Sequence, residues 1–187
     1  MKFIFLKSLL FMGIVVLFCL SFERTILAAE QALPISFTVK DRVLVIAPHP
    51  DDESIGVGGT LQQAIKAGAK VKVCLLTNGE NNEFAFIVYE RRIVLKPKEF
   101  LRLGEVRRKE TLDAMRLIGV APEDVVSLGY PDYGTMEVFQ KYWGEMKPFR
   151  SMLSRVNKVP YAESLSPDSP YVGESVPQGH EKGDRGF

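Results

Sequence analysis

Val43-Leu44-Val45-Ile46-Ala47-Pro48-His49-Pro50-Asp51-Asp52-Glu53 is the stretch that decides the fold. Its first five residues are an unbroken apolar run rich in β-branched side chains, which predicts a short strand buried on both faces. Just beyond it, Leu61, Ala64 and Ile65 fall at helical spacing within 61–67, and Gly68 follows as a C-terminal stop. Val71-Lys72-Val73-Cys74-Leu75-Leu76 is a second strand, ended by the turn residues Thr77-Asn78-Gly79. Two short strands around one helix make a βαβ unit, and so the start of a parallel α/β sheet.

The pattern continues downstream. Glu105 to Ile118 predicts a helix, with Val106, Leu112, Met115 and Ile118 toward one face and Gly119 closing it. Val125-Val126-Ser127-Leu128 predicts a third strand, Tyr130-Pro131-Asp132-Tyr133-Gly134 a loop, and 137–156 a further helix. Residues 80–104 are rich in aromatic and basic side chains and are interrupted by Pro97, so they read as a long excursion near the sheet's working edge.

The 187 residues suffice for one domain with a real core. A hydrophobic content of 46% argues against disorder, and a net charge of +1 against a nucleic-acid partner. The N-terminus departs from this average. Lys2 and Lys7 precede an apolar run from Ser8 to Phe22, as long as a signal-peptide core and short for a membrane span. Ala28-Ala29 then suits a cut, so residues 1–29 are expected to direct export. The alternative is an uncleaved anchor that attaches the chain to a membrane, with Glu23 and Arg24 on the water side. Cys74 is the single thiol outside that segment and reads as a small buried core residue.

The chemistry sits after the first strand, where ligands bind in open α/β sheets. The three acids that stand beside an imidazole in His49-Pro50-Asp51-Asp52-Glu53 repel one another unless a cation or shared proton offsets them. A nitrogen and hard oxygens together suit zinc. An N-terminal cap on the following helix accounts for one or two of the acids equally well, though not for His49 and Pro50. Gly56-Val57-Gly58-Gly59 lacks the dinucleotide spacing, so tight packing at the helix start is its expected role.

Ala47-Pro48-His49-Pro50-Asp51-Asp52-Glu53 resembles the signature of the PIG-L/LmbE-like deacetylases. The resemblance continues in order through Gly56-Val57-Gly58-Gly59, Thr77-Asn78-Gly79, Arg107-x-x-Glu110, Leu117-Ile118-Gly119 and Tyr130-Pro131-Asp132, over roughly residues 42 to 175. It implies a Rossmann-like parallel sheet with flanking helices. It implies His49 and Asp52 as zinc ligands and Asp51 as general base. Glu53, Arg107 and Asp132 become substrate-binding or supporting groups. The reaction implied is zinc-dependent hydrolysis of the N-acetyl amide of an N-acetylglucosaminyl small molecule or glycan. Other readings of the same scaffold are a different metal-dependent amide hydrolase, and a non-catalytic, carbohydrate-binding remnant.

The sequence departs from that family at its end. The family's third ligand is a histidine in a C-terminal His-rich motif, and the sole histidine outside the first motif is His180, in a tail without apolar periodicity. Codons exist for 177–187 that, shifted by one nucleotide, give Leu-Lys-Asp-Met-Lys-Lys-Val-Ile-Ala-Asp, which has helical patterning. The expectation is a deacetylase domain over 30–176 whose C-terminal part is missing, followed by a frameshifted tail over 177–187. Such a chain should bind zinc weakly, lack stability and be nearly inactive.

Overall fold

The computed structural model describes residues 35–82, 88, 96–144 and 147–173. The segment expected to direct export, the Ala28-Ala29 junction and the tail with His180 lie outside them. The described residues from Ser36 onward belong to one unit, which holds everything below. Its elements run β1 (Arg42–Ala47), α1 (Asp52–Lys66), β2 (Lys70–Thr77), α2 (Pro97–Ile118), a 3-10 turn (Pro122–Asp124), β3 (Val125–Tyr130) and α3 (Thr135–Lys141).

The three strands form a parallel sheet in the order β1-β2-β3. Helices fill both crossovers, the arrangement of one half of a Rossmann sheet. Right-handed crossovers that step the same way put both helices on one face. The core records this: Ala47, Val71, Val73 and Leu75 from the strands pack with Leu61 and Ala64 of α1 and Met115 of α2. Each of the larger apolar side chains contributes about 1.5–3 kcal/mol by burial.

Among the described residues the opposite face of β1 is exposed, which corrects the expectation of a strand buried on both sides. Leu44 and Ile46 are 53% and 60% exposed. An apolar run cannot tell one covered face from two, because exposed apolar side chains are common. Cys74 shares that face and is half-buried rather than part of the core, with its thiol pKa raised by burial.

Both long helices end as glycine dictates. Gly68 (φ 80°) and Gly119 (φ 99°) are left-handed, and Ala69 and Val120 donate back to Ala64 and Met115. Helix α2 begins eight residues before the expected start. Pro97 does not interrupt it but opens it at the first helical position, where no backbone N–H is needed, and the Glu99 carboxylate accepts the Lys96 N–H. The segment 97–104 is therefore helix rather than excursion; 83–87 and 89–95 lie outside the described residues. With the longer helix, Phe100, Leu103, Thr111 and Met115 define the buried face, and Val106 is exposed.

The helix expected over 137–156 is only the short α3. Residues 147–173 follow as loops that close a second core of Val138, Phe149, Val159 and Tyr171. Tyr171 donates to the Gly129 carbonyl and Leu165 to that of Ser127, tying these loops to β3.

Candidate active site

Because all three strands are parallel, their carboxyl ends share one edge, and three loops meet there: 48–51 after β1, 78–81 after β2 and 131–134 after β3. Thr77 joins the first two, its N–H and hydroxyl both donating to the Pro48 carbonyl. Arg107 of α2 clamps them. Its guanidinium donates to the Gly79 carbonyl at 2.9 Å, the Pro50 carbonyl at 2.6 Å and Asp51 Oδ2 at 3.0 Å. Gly79 (φ 63°) is left-handed, a conformation that strains any side chain, and a Cβ there would lie 1.9 Å from the guanidinium.

Asp51 occupies the capping position of α1, yet its side chain makes no cap hydrogen bond. Its carboxylate faces Arg107 instead, which removes the capping explanation for this acid. Its backbone is strained, with φ 125° and ψ −31°, a conformation that non-glycine residues hold only when the surroundings enforce it. Glu53 supplies part of that enforcement. It is buried, accepts the Asp51 N–H at 3.0 Å, and is held by the hydroxyls of Ser54 and Thr111. Glu53 thus orients the loop and not His49. A cleft of about 180 Å³ opens here, lined by Asp51, Glu53, Arg107, Glu110 and Thr111 among others. A larger cavity of about 460 Å³ lies at the opposite sheet edge, beside Lys70, Gly119 and Asp124, away from these convergent groups.

His49 stands between two carboxylates. Nδ1 is 3.3 Å from Asp52 Oδ2, and Nε2 is 3.2 Å from Asp132 Oδ1. Asp52 Oδ2 also accepts the His49 N–H at 3.0 Å. Two donors on one tetrahedral zinc, each bound at about 2.0–2.1 Å, stand roughly 3.3 Å apart. The spacing of Nδ1 and Asp52 Oδ2 fits such an ion, and Asp132 on the other ring nitrogen is where a supporting carboxylate belongs. Asp132 contacts the ring from the far side, so it does not add a third donor beside Asp52. Among the described residues no group of three or more His, Cys, Asp or Glu is arranged to hold a metal ion.

Asp132 is itself fixed from several sides. It is buried, Oδ2 accepts the Asn81 N–H at 3.1 Å, and its own N–H donates to Glu80 Oε1 at 3.1 Å. Glu80 is 1% exposed, and burial pushes its carboxyl up to about 7. Its second oxygen and the Tyr161 hydroxyl are both buried without a hydrogen-bond partner among the described residues. They lie near each other: a Cβ on Gly104 would be 2.3 Å from the Tyr161 oxygen and 3.1 Å from Glu80 Cβ. The Asn78 side-chain oxygen accepts the Ser127 hydroxyl at 2.6 Å. Sequence reading missed Glu80, Asn81 and Tyr161 as parts of the site. Glu80 and Asn81 had a usable signal, a polar run directly after a buried parallel strand. Tyr161 had none.

The glycines of α1 correct another expectation. A Cβ at Gly56, Gly58 or Gly59 would meet nothing within 4 Å. Tight packing at the helix start therefore does not explain them within this structure.

An α/β sheet with a histidine, paired carboxylates and an arginine clamp at its carboxyl edge defines an acid-rich, metal-compatible site. The chain belongs to the family described as PIG-L: GlcNAc-PI de-N-acetylase, whose sequence model matches residues 44–168. It is similar to the 1D-myo-inositol 2-acetamido-2-deoxy-alpha-D-glucopyranoside deacetylase of Mycobacterium avium, 39% identical over 79 residues that make up 42% of this chain and 25% of that protein. The enzyme of the same name from Thermomonospora curvata is 40% identical over 79 residues, 42% of this chain and 26% of that one. The solved N,N'-diacetylchitobiose deacetylase from Pyrococcus horikoshii is 32% identical over 49% of this chain and 30% of its own, with a TM-score of 0.40. The chain thus spans about a quarter of the length of these curated relatives.

Proposed function

We propose that this chain carries the general-base and metal-binding loops of a zinc-dependent deacetylase acting on the N-acetyl amide of an N-acetylglucosaminyl compound. One observation carries the reading. His49 is held between Asp52 and Asp132 at the sheet edge where Arg107 pins the Asp51 carboxylate. Family membership supplies the substrate chemistry, and the names of the relatives agree with it.

His49 and Asp52 would hold the ion. When bound, zinc supplies Lewis acidity to the amide carbonyl and the attacking water. Asp51 accepts the proton as the water oxygen bonds to the carbonyl carbon. The same carboxyl returns that proton to the nitrogen as the C–N bond breaks, leaving acetate and a free amine on the sugar. Arg107 and Glu53 fix the base by side chain and backbone respectively. Asp132, set by Glu80 and Asn81, keeps the imidazole ring oriented.

A second reading, a carbohydrate-binding protein without turnover, draws on the finding of two suitable donors rather than three among the described residues. Zinc binding and amine release separate the two. A competing chromophoric chelator should report zinc binding that His49→Ala and Asp52→Ala each weaken at least about ten-fold. Amine release from an N-acetylglucosaminyl substrate should follow zinc loading and stop on chelation. Sugar binding without any amine release would support the second reading.

A further inference from the structure

Tyr133 is the feature of the site's rim that the chemistry above leaves unused. It is 83% exposed, although tyrosine is a large, partly apolar side chain. Its backbone is left-handed, with φ 58°. Glycine or asparagine would take that conformation with less strain, whereas a bulky residue there is an outlier.

The turn leaves Tyr133 little freedom. Its N–H donates to Asp132 Oδ1 at 2.9 Å, and the same oxygen lies 3.2 Å from His49 Nε2. Gly134 donates to the Pro131 carbonyl, as does the Thr135 hydroxyl. Phe149 closes the inner side, since a Cβ on Gly134 would lie 2.4 Å from its ring. A strained backbone therefore holds an aromatic side chain in water, on the residue whose N–H shares a carboxylate oxygen with the imidazole. Strain of this kind clusters at ligand-binding positions. An exposed tyrosine offers a flat apolar face with a polar tip, suited to the C–H face of a six-membered polyol ring.

We infer that Tyr133 is a binding residue for the ring attached to the N-acetylated sugar, a platform that makes two-ring substrates preferred over a monosaccharide. The inference rests on the deacetylase reading for the sugar that fills the site. The second ring can be a pyranose or an inositol, which share the C–H face that stacks.

Calorimetric titration of the 187-residue chain tests it with three probes: N-acetylglucosamine, N,N'-diacetylchitobiose and an N-acetylglucosaminyl-inositol. The wild type should bind one or both two-ring probes about ten-fold more tightly than the monosaccharide. Tyr133→Gly should lose that advantage while keeping monosaccharide affinity, and its Tm should match or exceed that of the wild type because glycine relieves the strain. Tyr133→Phe should retain the advantage. Which two-ring probe responds identifies the second ring. Equal affinity of wild type and Tyr133→Gly for both two-ring probes overturns the inference. So does wild-type failure to bind either, and so does loss of lipid-vesicle binding in Tyr133→Gly with sugar affinities unchanged. The two readings fail separately. Binding that depends on Tyr133 without amine release defeats the deacetylase reading alone. Amine release with a KM insensitive to Tyr133→Gly defeats this one alone.

Discussion

Replacing Glu80 with glutamine should make stability independent of this group's titration. Glu80 is buried with one oxygen on the Asp132 N–H, and the other has no hydrogen-bond partner among the described residues. Desolvation is the largest cause of its shift, with the neighbouring Asp132 charge adding and Arg107 and backbone N–H groups opposing. The folded-state pKa rises from the usual 4.5 to about 7. The folded chain therefore keeps a proton that the unfolded chain releases, and stability falls as pH rises between those values. A shift of that size corresponds to about 3 kcal/mol, fully expressed above pH 7 and absent below pH 4.5. Glutamine retains the acceptor for Asp132 and cannot ionise. Urea unfolding followed by circular dichroism from pH 4.5 to 8 should show the variant gaining on the wild type across the window, to about 3 kcal/mol at the top. Titrating groups that are not coupled to Glu80 contribute equally to both proteins and cancel in the difference. A difference that stays flat with pH would refute the burial of a protonated Glu80.

Two further outcomes follow from contacts of the site and a third from the N-terminal sequence. Gly79→Ala should cost more than about 1 kcal/mol in a urea melt, because the new methyl meets the Arg107 guanidinium in a left-handed turn. Asp132→Asn should lower zinc affinity in a chelator competition by about 10–100-fold, since the imidazole loses its charged supporting partner. N-terminal sequencing of exported material should find a start near Ala29 or Glu30, and a start at Met1 would favour an anchor.

Much of the fold is legible in local pattern. Val43–Ala47 and Val71–Leu76 announce parallel strands by β-branched runs, and Gly68 and Gly119 mark helix ends by the left-handed turn each must adopt. What pattern cannot carry is tertiary context. Pro97 opens a helix here, but proline also breaks helices, and only the Glu99–Lys96 hydrogen bond tells the two apart. Leu44 and Ile46 look buried because their composition matches a covered strand; exposure depends on what lies over the sheet. The site shows the same division. His49, Asp51, Asp52 and Glu53 are visible as a costly charge cluster, and the structure brings Arg107 and Asp132 to the same edge. Glu80 and Tyr161, 81 residues apart, meet only through the packing at Gly104, so no spacing rule could pair them.

The central claim is that Asp51 is the base of an N-acetyl amide hydrolase. Product detection by mass spectrometry, at high concentrations of zinc-loaded chain with N,N'-diacetylchitobiose or N-acetylglucosaminyl-inositol, tests it most directly. The wild type should yield the acetate-free amine, and Asp51→Asn should reduce the rate by about 10²–10⁴-fold with zinc still bound. Product formed at the same rate by Asp51→Asn and wild type would contradict the account.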